Sequence, residues 1–393
     1  MREKGGVLLN HIRAPWRPLA TIALAAVCAA AAPSQADDAT PPGVPEYALD
    51  MSWPKLPLPN QWALGWVDGI YVDARDHVWI LHSPDLLQGW LTGAATDPPG
   101  ARCCVPAPPV IEFDAQGQVL RAWGGPGKGY DWPSAEHGIY VDYKGNVWIA
   151  GNQTRTGADG SPPDGMVLKF SPDGEFLLQI GGRGPSKGSL DPTQLSGAAA
   201  VAVDPEHNEV YVADGYGNHR VIVFDADTGK FKRQWGAYGK PPTDEKMPPY
   251  DPKAPPSSQF SLVHCVRISN DGLVYVCDRR NNRLQVFKRD GTFVAEHFYE
   301  KATKVSGSVG NVSFWPDATQ SLMAINDPSN FQTVIVRRAT GEELSRFGHY
   351  GTYAGEYHRN HQVEFDSRGN LYTSEDYRVQ RFKIVNGVQP KSP

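Results

Sequence analysis

The stretch "VRISNDGLVYVCDRRNNRLQVFKRDG", which begins at Val266, decides the fold of this chain. Apolar and polar residues alternate on both sides of the turn formers Asn270, Asp271 and Gly272. Alternation interrupted by such residues predicts two antiparallel strands joined by a tight turn. A short polar link, "DRRNNR", then leads to a third alternating run. The stretch therefore predicts one antiparallel unit of three strands.

Similar stretches occur on both sides of this unit. Clear copies are "VAVDPEHNEVYVADGYGNHRVIVFD" from Val201 and "VEFDSRGNLYTSEDYRVQRFKI" from Val363. Weaker copies begin at Ile70 and Ile139, and a degenerate copy begins at Asn311. Several strands per repeat, with repeats roughly 40–70 residues apart, are typical of a propeller. The sequence therefore predicts an all-β fold, a six-bladed β-propeller.

The last unit lacks one strand. It supplies three, predicted at His361–Asp366, Asn370–Ser374 and Arg378–Ile384. The alternating segment Tyr47–Trp53 precedes the first blade, and we expect it to pair with the last blade. Closing the ring in this way removes an exposed strand edge.

The N-terminus has the features of a secretory signal peptide. A basic stretch is followed by the apolar run Leu19–Ala32 and by small residues up to Ala36. The run is shorter than the roughly 20 residues of a membrane-spanning helix, although an uncleaved anchor is the alternative. We therefore expect residues 1–36 to be removed and residues 37–393 to form a single propeller domain. That domain would be exported to the periplasm or the extracellular medium, without stable membrane insertion.

Composition narrows the classes of partner. The net charge is −5 and charged residues make up 21% of the chain, with no concentrated block of Lys or Arg. Nucleic acid is therefore not an expected partner, because phosphate binding needs a basic surface. A small-molecule or peptide-derived substrate fits this composition better, and a monomer is the default expectation. The Gly- and Pro-rich segments Gly93–Pro109 and Pro241–Pro256 are predicted surface loops.

Four cysteines remain after removal of the predicted signal peptide. Cys265 and Cys277 stand six residues before and after Asp271, so they would face each other across a hairpin. Either a disulfide or a reduced pair is compatible with that placement. Cys103 and Cys104 are adjacent and could form a vicinal disulfide on a loop. An even number of cysteines suits an oxidising compartment.

Three histidines occupy one position of the repeat. His137, His264 and His361 each stand just before the inner-strand core of the second, fourth and sixth blades. The same position in the other three blades holds Asp68, Ala200 and about Gly310. Alternate blades lie about 120° apart around a six-bladed ring, so the three imidazoles would converge on the axis. Three His ligands and one open position are the pattern of catalytic Zn²⁺; the alternative is three packed channel histidines without metal.

The links between second and third strands resemble NHL repeats. In "DGYGNHR" and "DRRNNR", an Asp is followed by an Asn and an Arg. We expect Asp278, Asn282 and Arg283 to form the turn and tie neighbouring strands together, rather than to act in catalysis.

Five motifs extend the resemblance to one enzyme family. "EHGIYVD", "VADGYGNHR", "QFSLVHCVRIS", "VCDRRNNR" and "NHQVEFD" are similar to segments of the peptidyl-α-hydroxyglycine α-amidating lyase family. That family is a six-bladed propeller with a catalytic zinc and a structural calcium. The resemblance implies that His137, His264 and His361 bind zinc, and that Tyr216 and Arg279 are active-site residues. Near the positive charges of Arg279 and zinc, Tyr216 is expected to have a lowered pKa and to act as the base.

The calcium of the family has weaker counterparts in this sequence. The matching positions are Ile70 and Ile139, through backbone carbonyls, and Gln362, where the family has aspartate. Gln362 removes a negative charge and should weaken calcium binding. A second departure is Ser83 in "ILHSPD", where the family has an arginine, so recognition of the substrate carboxylate or carbonyl is expected to differ.

The resemblance implies a zinc-dependent lyase that cleaves a C–N bond in an α-hydroxyglycine-type (N-acyl hemiaminal) or related small substrate, and the N-terminal segment adds that it is exported. One alternative is an NHL propeller without catalysis that serves as a ligand- or protein-binding scaffold. A third is a calcium hydrolase of the gluconolactonase type. That class needs acidic and Asn ligands in the channel, and the aligned register offers only Asp68 beside the three histidines.

Overall fold

Six antiparallel sheets of four strands each form the part of the chain that the computed structural model describes, residues 43–390. These residues fall in one compact unit, Thr40–Pro393. The predicted signal peptide, residues 1–36, lies outside the described residues. None of the helices in residues 43–390 has the length and apolarity that crossing a membrane requires. The predicted all-β, six-bladed propeller is confirmed.

Each sheet forms one blade, whose strands follow one another from the axis outward. Blade 1 is β3 (Trp66–Val72), β4 (Val78–Ser83), β6 (Val110–Phe113) and β7 (Val119–Trp123), and blade 2 is β8 (Glu136–Val141), β9 (Val147–Gly151), β10 (Met166–Phe170) and β11 (Phe176–Gly181). Blade 3 is β12 (Ala198–Asp204), β13 (Glu209–Asp214), β14 (Arg220–Asp225) and β15 (Phe231–Trp235), and blade 4 is β16 (Val263–Ile268), β17 (Val274–Asp278), β18 (Arg283–Phe287) and β19 (Phe293–Phe298). Blade 5 is β20 (Asn311–Phe314), β21 (Leu322–Asp327), β22 (Gln332–Arg337) and β23 (Glu342–Phe347), and blade 6 is β24 (Gln362–Phe365), β25 (Leu371–Glu375), β26 (Arg378–Asn386) and β1 (Glu46–Leu49).

Minor elements lie in the connections. The short strands β2 (Trp62–Ala63) and β5 (Val105–Pro106) pair in parallel. Short 3₁₀ turns span Pro59–Gln61, Gly89–Ala94, Ala237–Gly239 and Arg279–Asn281. The predicted loop at Gly93–Pro109 thus contains the end of a turn and one short strand, whereas Pro241–Pro256 is irregular throughout.

The ring is closed by the N-terminal strand, as predicted. β1 pairs antiparallel with β26, with Leu49 opposite Phe382, so the pairing ends four residues before the predicted limit at Trp53. Beyond the strand, the Asp50 carboxylate accepts a 2.8 Å bond from Nε of Arg381. The inner strands β3, β8, β12, β16, β20 and β24 each contact the next around the circle, and β24 contacts β3. The histidine-bearing strands therefore line one closed channel.

A separate apolar cluster fills each space between neighbouring blades, including the space between blades 6 and 1. The side chains of Trp79, Trp148 and Trp315 are fully buried in three of these clusters. Burying one Trp side chain contributes about 4–6 kcal/mol of transfer free energy before entropy costs. Packing of this size at every blade boundary makes the channel a fixed frame for its side chains.

The NHL link has the structural role predicted for it. Nε of Arg283 lies 2.8 Å from Oδ2 of Asp278, and both side chains are fully buried. The amide that donates to Asp278, at 2.7 Å, belongs to Asn281, which the sequence analysis did not single out. Asn282 instead ends the 3₁₀ turn in a left-handed conformation (φ 54°), which Asn tolerates better than most residues. Blade 3 repeats the ion pair within Asp214–Arg220, also at 2.8 Å.

Candidate metal centre

Irregularities in the inner strands turn the histidines toward the axis. Between Glu136 and Ile139, β8 has one residue more than its partner strand, and β16 has one extra residue between Val263 and Cys265. His264 is that extra residue in β16. A bulge of this kind redirects a side chain that regular alternation would point elsewhere. His361 stands directly before β24, and its N–H donates to the carbonyl of Ser374 at 2.8 Å.

The three predicted ligands converge. One ring nitrogen of each of His137, His264 and His361 lies within 4.8 Å of those of the other two. Their ring centroids are 4.9, 4.6 and 5.1 Å apart, and the side chains are almost completely buried. We call this group the histidine tripod.

The odd-numbered blades fix the orientation of each ring. Nδ1 of His137 lies 2.7 Å from the carbonyl of Ala199, Nδ1 of His264 lies 2.6 Å from that of Gly310, and Nδ1 of His361 lies 2.6 Å from that of Asp68. A carbonyl can only accept, so each Nδ1 carries the proton and each Nε2 keeps a lone pair. Backbone carbonyls behind Nδ1 are the usual outer partners of metal-binding histidines. The tripod therefore offers three oriented neutral donors, the set that Zn²⁺ favours.

The protein holds all three rings in the neutral form. Burial lowers the pKa of His137 to about 4. Burial, with the charge of Arg279 and the neighbouring histidine, lowers the pKa of His264 well below its usual value, and burial does the same for His361. A metal ligand must be unprotonated, so the tripod is ready to bind a cation at neutral pH.

Tyr216 and Arg279 lie beside the tripod, as the resemblance implied. The Tyr216 hydroxyl is 2.9 Å from Nε2 of His137 and 3.2 Å from Nε2 of His264. Nη1 of Arg279 is 3.1 Å from the same nitrogen of His264. Tyr216 belongs to the link after β13 and Arg279 to the link after β17, so equivalent links of two adjacent blades supply both residues.

The protein groups alone do not lower the Tyr216 pKa, so the lowering expected from Arg279 and zinc together stays a prediction. Burial is the largest influence and raises the pKa of Tyr216, while the positive charge of Arg279 only partly opposes that rise. The phenol is therefore neutral unless a further positive charge lies next to it.

Arg359 also lies at the site, although the sequence motifs did not single it out. Its Nη2 donates to the Asp68 carboxylate at 2.6 Å, its Nε donates to Asp376, and its guanidinium covers the Trp66 ring at 4.6 Å. Because two carboxylates engage it, Arg359 is not a free cation for a substrate. Its position two residues before His361 is the signal that could have identified it.

Ser83 lies where the resemblance implies an arginine in the family, and it pairs across the sheet with Trp66, the ring that the Arg359 guanidinium covers. It is buried next to Glu136, whose carboxyl accepts a 2.8 Å bond from Nε1 of Trp132. Burial raises the pKa of Glu136 to about 7, against hydrogen bonds from Trp132 and Ser83 that lower it. The carboxyl of Glu136 therefore has a pKa close to neutral pH. None of Ser83, Glu136 and Trp132 carries a positive charge.

The predicted calcium positions come together only in part. Gln362 and Ile70 meet, but the side-chain oxygen of Gln362 accepts the backbone N–H of Ile70 at 3.0 Å. That contact uses the oxygen that would face a cation. Ile139 lies at the matching level of β8. These residues do not present a calcium site with a carboxylate ligand.

Both cysteine pairs are joined in the structure. Cys265 lies directly opposite Cys277 across β16 and β17, with Cα atoms 4.9 Å apart. Cys103 is joined to Cys104 in the loop before β5. The first pair lies next to His264 in the chain, so it braces the hairpin that carries one tripod ligand.

Two other groups of acidic and imidazole side chains come close enough for a metal, but each is neutralised by arginine. Asp73, His77 and Glu112 surround Arg75, whose Nη2 is 2.7 Å from Asp73. The second group, Asp204, Glu206 and His207, pairs with Arg289. The histidine tripod is thus the candidate centre in residues 43–390 whose ligands are neutral imidazoles and not carboxylates paired with arginine.

Comparison with known proteins agrees with this architecture. The NHL repeat family model matches residues 195–224 and 260–287. Those segments cover the three inner strands of blades 3 and 4, and they contain Tyr216, His264 and Arg279.

Relatives fall into two groups. The rat (Rattus norvegicus) peptidylglycine alpha-amidating monooxygenase is 31% identical over 267 residues, 65% of this chain and 24% of that protein. A probable peptidyl-alpha-hydroxyglycine alpha-amidating lyase of Caenorhabditis elegans is 28% identical over 152 residues, 38% of this chain and 36% of its own. The mouse (Mus musculus) NHL repeat-containing protein 3 is 30% identical over 190 residues, 47% of this chain and 46% of its own. The chain thus spans about half, or less, of the length of these relatives.

Among solved structures, virginiamycin B lyase from Staphylococcus aureus aligns over 88% of this chain and 89% of its own, with 14% identity and a TM-score of 0.47. That level of similarity carries no argument about function. From its repeats, its sheets and its relatives, the chain is a six-bladed NHL-repeat propeller that resembles the amidating monooxygenases and lyases.

Proposed function

We propose that this protein is a zinc-dependent lyase that cleaves the C–N bond of an α-hydroxyglycine-type substrate, an N-acyl hemiaminal. The observation that carries the proposal is the histidine tripod, whose three ring nitrogens lie within 4.8 Å of one another, with Tyr216 and Arg279 beside it. The names of two relatives support the substrate class. A bound Zn²⁺ would supply Lewis acidity next to the reacting carbon.

The residues of the chain can then account for the proton transfer. With the metal in place, Tyr216 as the phenolate would take the proton of the substrate hydroxyl, and that oxygen would form a carbonyl as the C–N bond breaks. The bonding pair leaves with nitrogen, which receives a proton from the Tyr216 hydroxyl. The products are an amide and an aldehyde acid, so atoms and electrons balance without an oxidant. Arg279 orients the substrate carbonyl or carboxylate through charge-assisted hydrogen bonds.

The pKa of Tyr216 supports a role that depends on the metal. Burial raises that pKa, so the protein alone leaves Tyr216 a poor base. A divalent cation next to the hydroxyl would lower the pKa again. We therefore expect no turnover by the metal-free protein, and not merely weaker substrate binding.

The decisive experiment measures zinc content and turnover together in wild type and in a His264→Ala variant. We expect about one zinc per wild-type chain, release of an amide from an N-acyl-α-hydroxyglycine, and loss of both in the variant. His297→Ala is the matched control, because His297 is half-buried in the outer strand β19, away from the tripod. A folded wild type that binds no transition metal would instead support the alternative of a binding scaffold. Zinc without turnover would leave the metal site in place and refute the substrate class.

We also propose that the protein is exported. The two disulfide pairs in the structure support an oxidising compartment. Intact mass of the protein from its native host should give a chain that begins at Asp37. A mass that includes residues 1–36 would refute cleavage at this site.

A further inference from the structure

A second group of buried polar side chains lies on the axis below the histidine tripod. Arg267 follows His264 by three residues in β16, and Glu364 follows His361 by three residues. Arg267 is 7% exposed and Glu364 is 5% exposed. Two charged groups at this depth need strong compensation, because burial penalises each charge.

Arg267 has one carboxylate, one backbone carbonyl and two aromatic rings as partners. Its Nη2 donates to Oε1 of Glu364, and its Nε donates to the carbonyl of Val312 at 3.2 Å. The guanidinium carbon lies 5.6 Å from the centre of the Tyr71 ring and 5.9 Å from that of Tyr140, within cation–π range. We call Arg267, Glu364, Tyr71 and Tyr140 the axial clasp.

Glu364 depends on this arrangement for its charge. Burial raises the pKa of Glu364, and the Arg267 guanidinium and a hydrogen bond from Ser313 oppose that rise. The second carboxylate oxygen accepts the Ser313 hydroxyl at 2.9 Å. Without the guanidinium, the carboxylate would be a buried and largely uncompensated anion.

The clasp joins the blades across the channel. Tyr71 belongs to blade 1, Tyr140 to blade 2, Arg267 to blade 4 and Glu364 to blade 6, while blade 5 supplies the carbonyl of Val312. The guanidinium of blade 4 thus contacts side chains or carbonyls of four other blades. A structural cation at the centre of a propeller would have to make the same kind of connection.

The clasp lies next to the positions that the family resemblance implied for calcium. Tyr71 and Tyr140 directly follow Ile70 and Ile139 in the chain. The side-chain oxygen of Gln362 accepts a hydrogen bond from the N–H of Ile70. The nearby Glu364 carboxylate forms an ion pair with Arg267. Calcium prefers several oxygen ligands including carboxylates, and a guanidinium at this level would repel it. The residues present therefore do not fit a calcium ion.

We propose that Arg267 serves as a built-in axial cation in this protein, so that the ring is held together without calcium and binds metal only at the histidine tripod. This role concerns the stability of the ring and does not depend on the proposed lyase function.

The first test uses the wild-type protein. It is dialysed against a calcium chelator and then given one equivalent of zinc, because such chelators also remove zinc. Thermal unfolding is then measured with and without millimolar CaCl₂. We expect the same Tm in both and no calcium by elemental analysis. Stoichiometric calcium, or a Tm that rises by several degrees in CaCl₂, would overturn the proposal.

The second test removes the guanidinium. Arg267→Met leaves Glu364 as a buried anion, and we expect Tm to fall by roughly 5 °C. Because the clasp borders a cavity of about 560 Å³ at the channel mouth, calcium can reach the freed carboxylate and should restore part of the loss. The double variant Arg267→Met/Glu364→Gln should regain stability without calcium and lose the calcium response.

Arg338→Met is the matched control for these variants. Arg338 also covers a tyrosine ring, that of Tyr275 at 6.0 Å, and pairs with a carboxylate, Asp271 at 3.0 Å, but it lies off the axis. Its loss should produce no calcium response. If Arg267→Met unfolds at the wild-type temperature, or responds to calcium no more than Arg338→Met does, Arg267 is not the axial cation.

Discussion

The hydroxyl oxygen of Tyr216 lies 2.9 Å from Nε2 of His137, a nitrogen whose lone pair points to the axis of the propeller. The same hydroxyl reaches Nε2 of His264 at 3.2 Å. A cation held by the tripod would take these lone pairs, and the hydroxyl would then be free to bond a substrate. Metal binding and the availability of the base are thus linked through one contact.

Replacing Tyr216 by Phe tests this link. The variant keeps the ring and its packing but loses the proton carrier, so we expect kcat to fall by about 10²–10⁴-fold with zinc content unchanged. Steady-state turnover and elemental analysis on one preparation give both numbers. Tyr143→Phe, which changes an exposed tyrosine bonded to Asn208, is the control. Full turnover by Tyr216→Phe would exclude Tyr216 as the base.

Arg279 offers a hydrogen-bond donor to the substrate. Its Nη1 bonds His264, while its Nε is buried without an acceptor among residues 43–390. We expect Arg279→Met to lower kcat/KM by roughly 10–100-fold, the value of a charge-assisted hydrogen bond. Arg279→Lys should recover only part of the lost kcat/KM, since lysine lacks the forked donor arrangement of a guanidinium. Exposed Arg280→Met is the control, and an equal loss in that variant would argue against a specific contact.

The histidines also make stability depend on pH once the metal is stripped. Burial lowers the pKa of His137 to about 4 and those of His264 and His361 well below the usual value. Below about pH 6.5 these three histidines bind protons in the unfolded chain but stay neutral in the folded chain. The free energy of unfolding should therefore fall as the pH drops from 6.5 toward 4.

With three such groups the free energy of unfolding should lose up to about 4 kcal/mol per pH unit. Urea unfolding of stripped protein at several pH values measures this slope. His137→Asn should reduce the slope by about a third, whereas saturation with zinc should delay the loss to lower pH. An identical slope in wild type and His137→Asn would contradict the pKa assignment.

The repeat register predicted the tripod well, because a propeller places equivalent residues of alternate blades at one height. The register could not predict the bulge that makes His264 an extra residue in its strand, since bulges depend on pairing with β17. It also missed Arg359, whose role follows from Asp68 in a blade distant in sequence. The register also gave no role to Asn281, because which amide meets Asp278 is set by the geometry of the 3₁₀ turn.

The ion pair between Arg283 and Asp278 should be worth far more to folding than its surface counterparts. Both side chains are fully buried, and Arg283 also donates to the Tyr238 hydroxyl at 2.7 Å. Arg283→Met leaves the buried Asp278 carboxylate without its cation, and it should lower the free energy of unfolding by about 3–5 kcal/mol.

The control for this change is Arg337→Met, which breaks a 3.0 Å pair with Glu342 in which both partners are at least half exposed. That loss should be below about 1 kcal/mol. Urea unfolding of both variants measures the two losses. The double variant Arg283→Met/Asp278→Asn should recover part of the stability, because it also removes the unpaired Asp278 charge. Since Arg279 directly follows Asp278, turnover should fall with stability in the single variant. Equal destabilisation by Arg283→Met and Arg337→Met would show that the NHL ion pair does not hold the blade together.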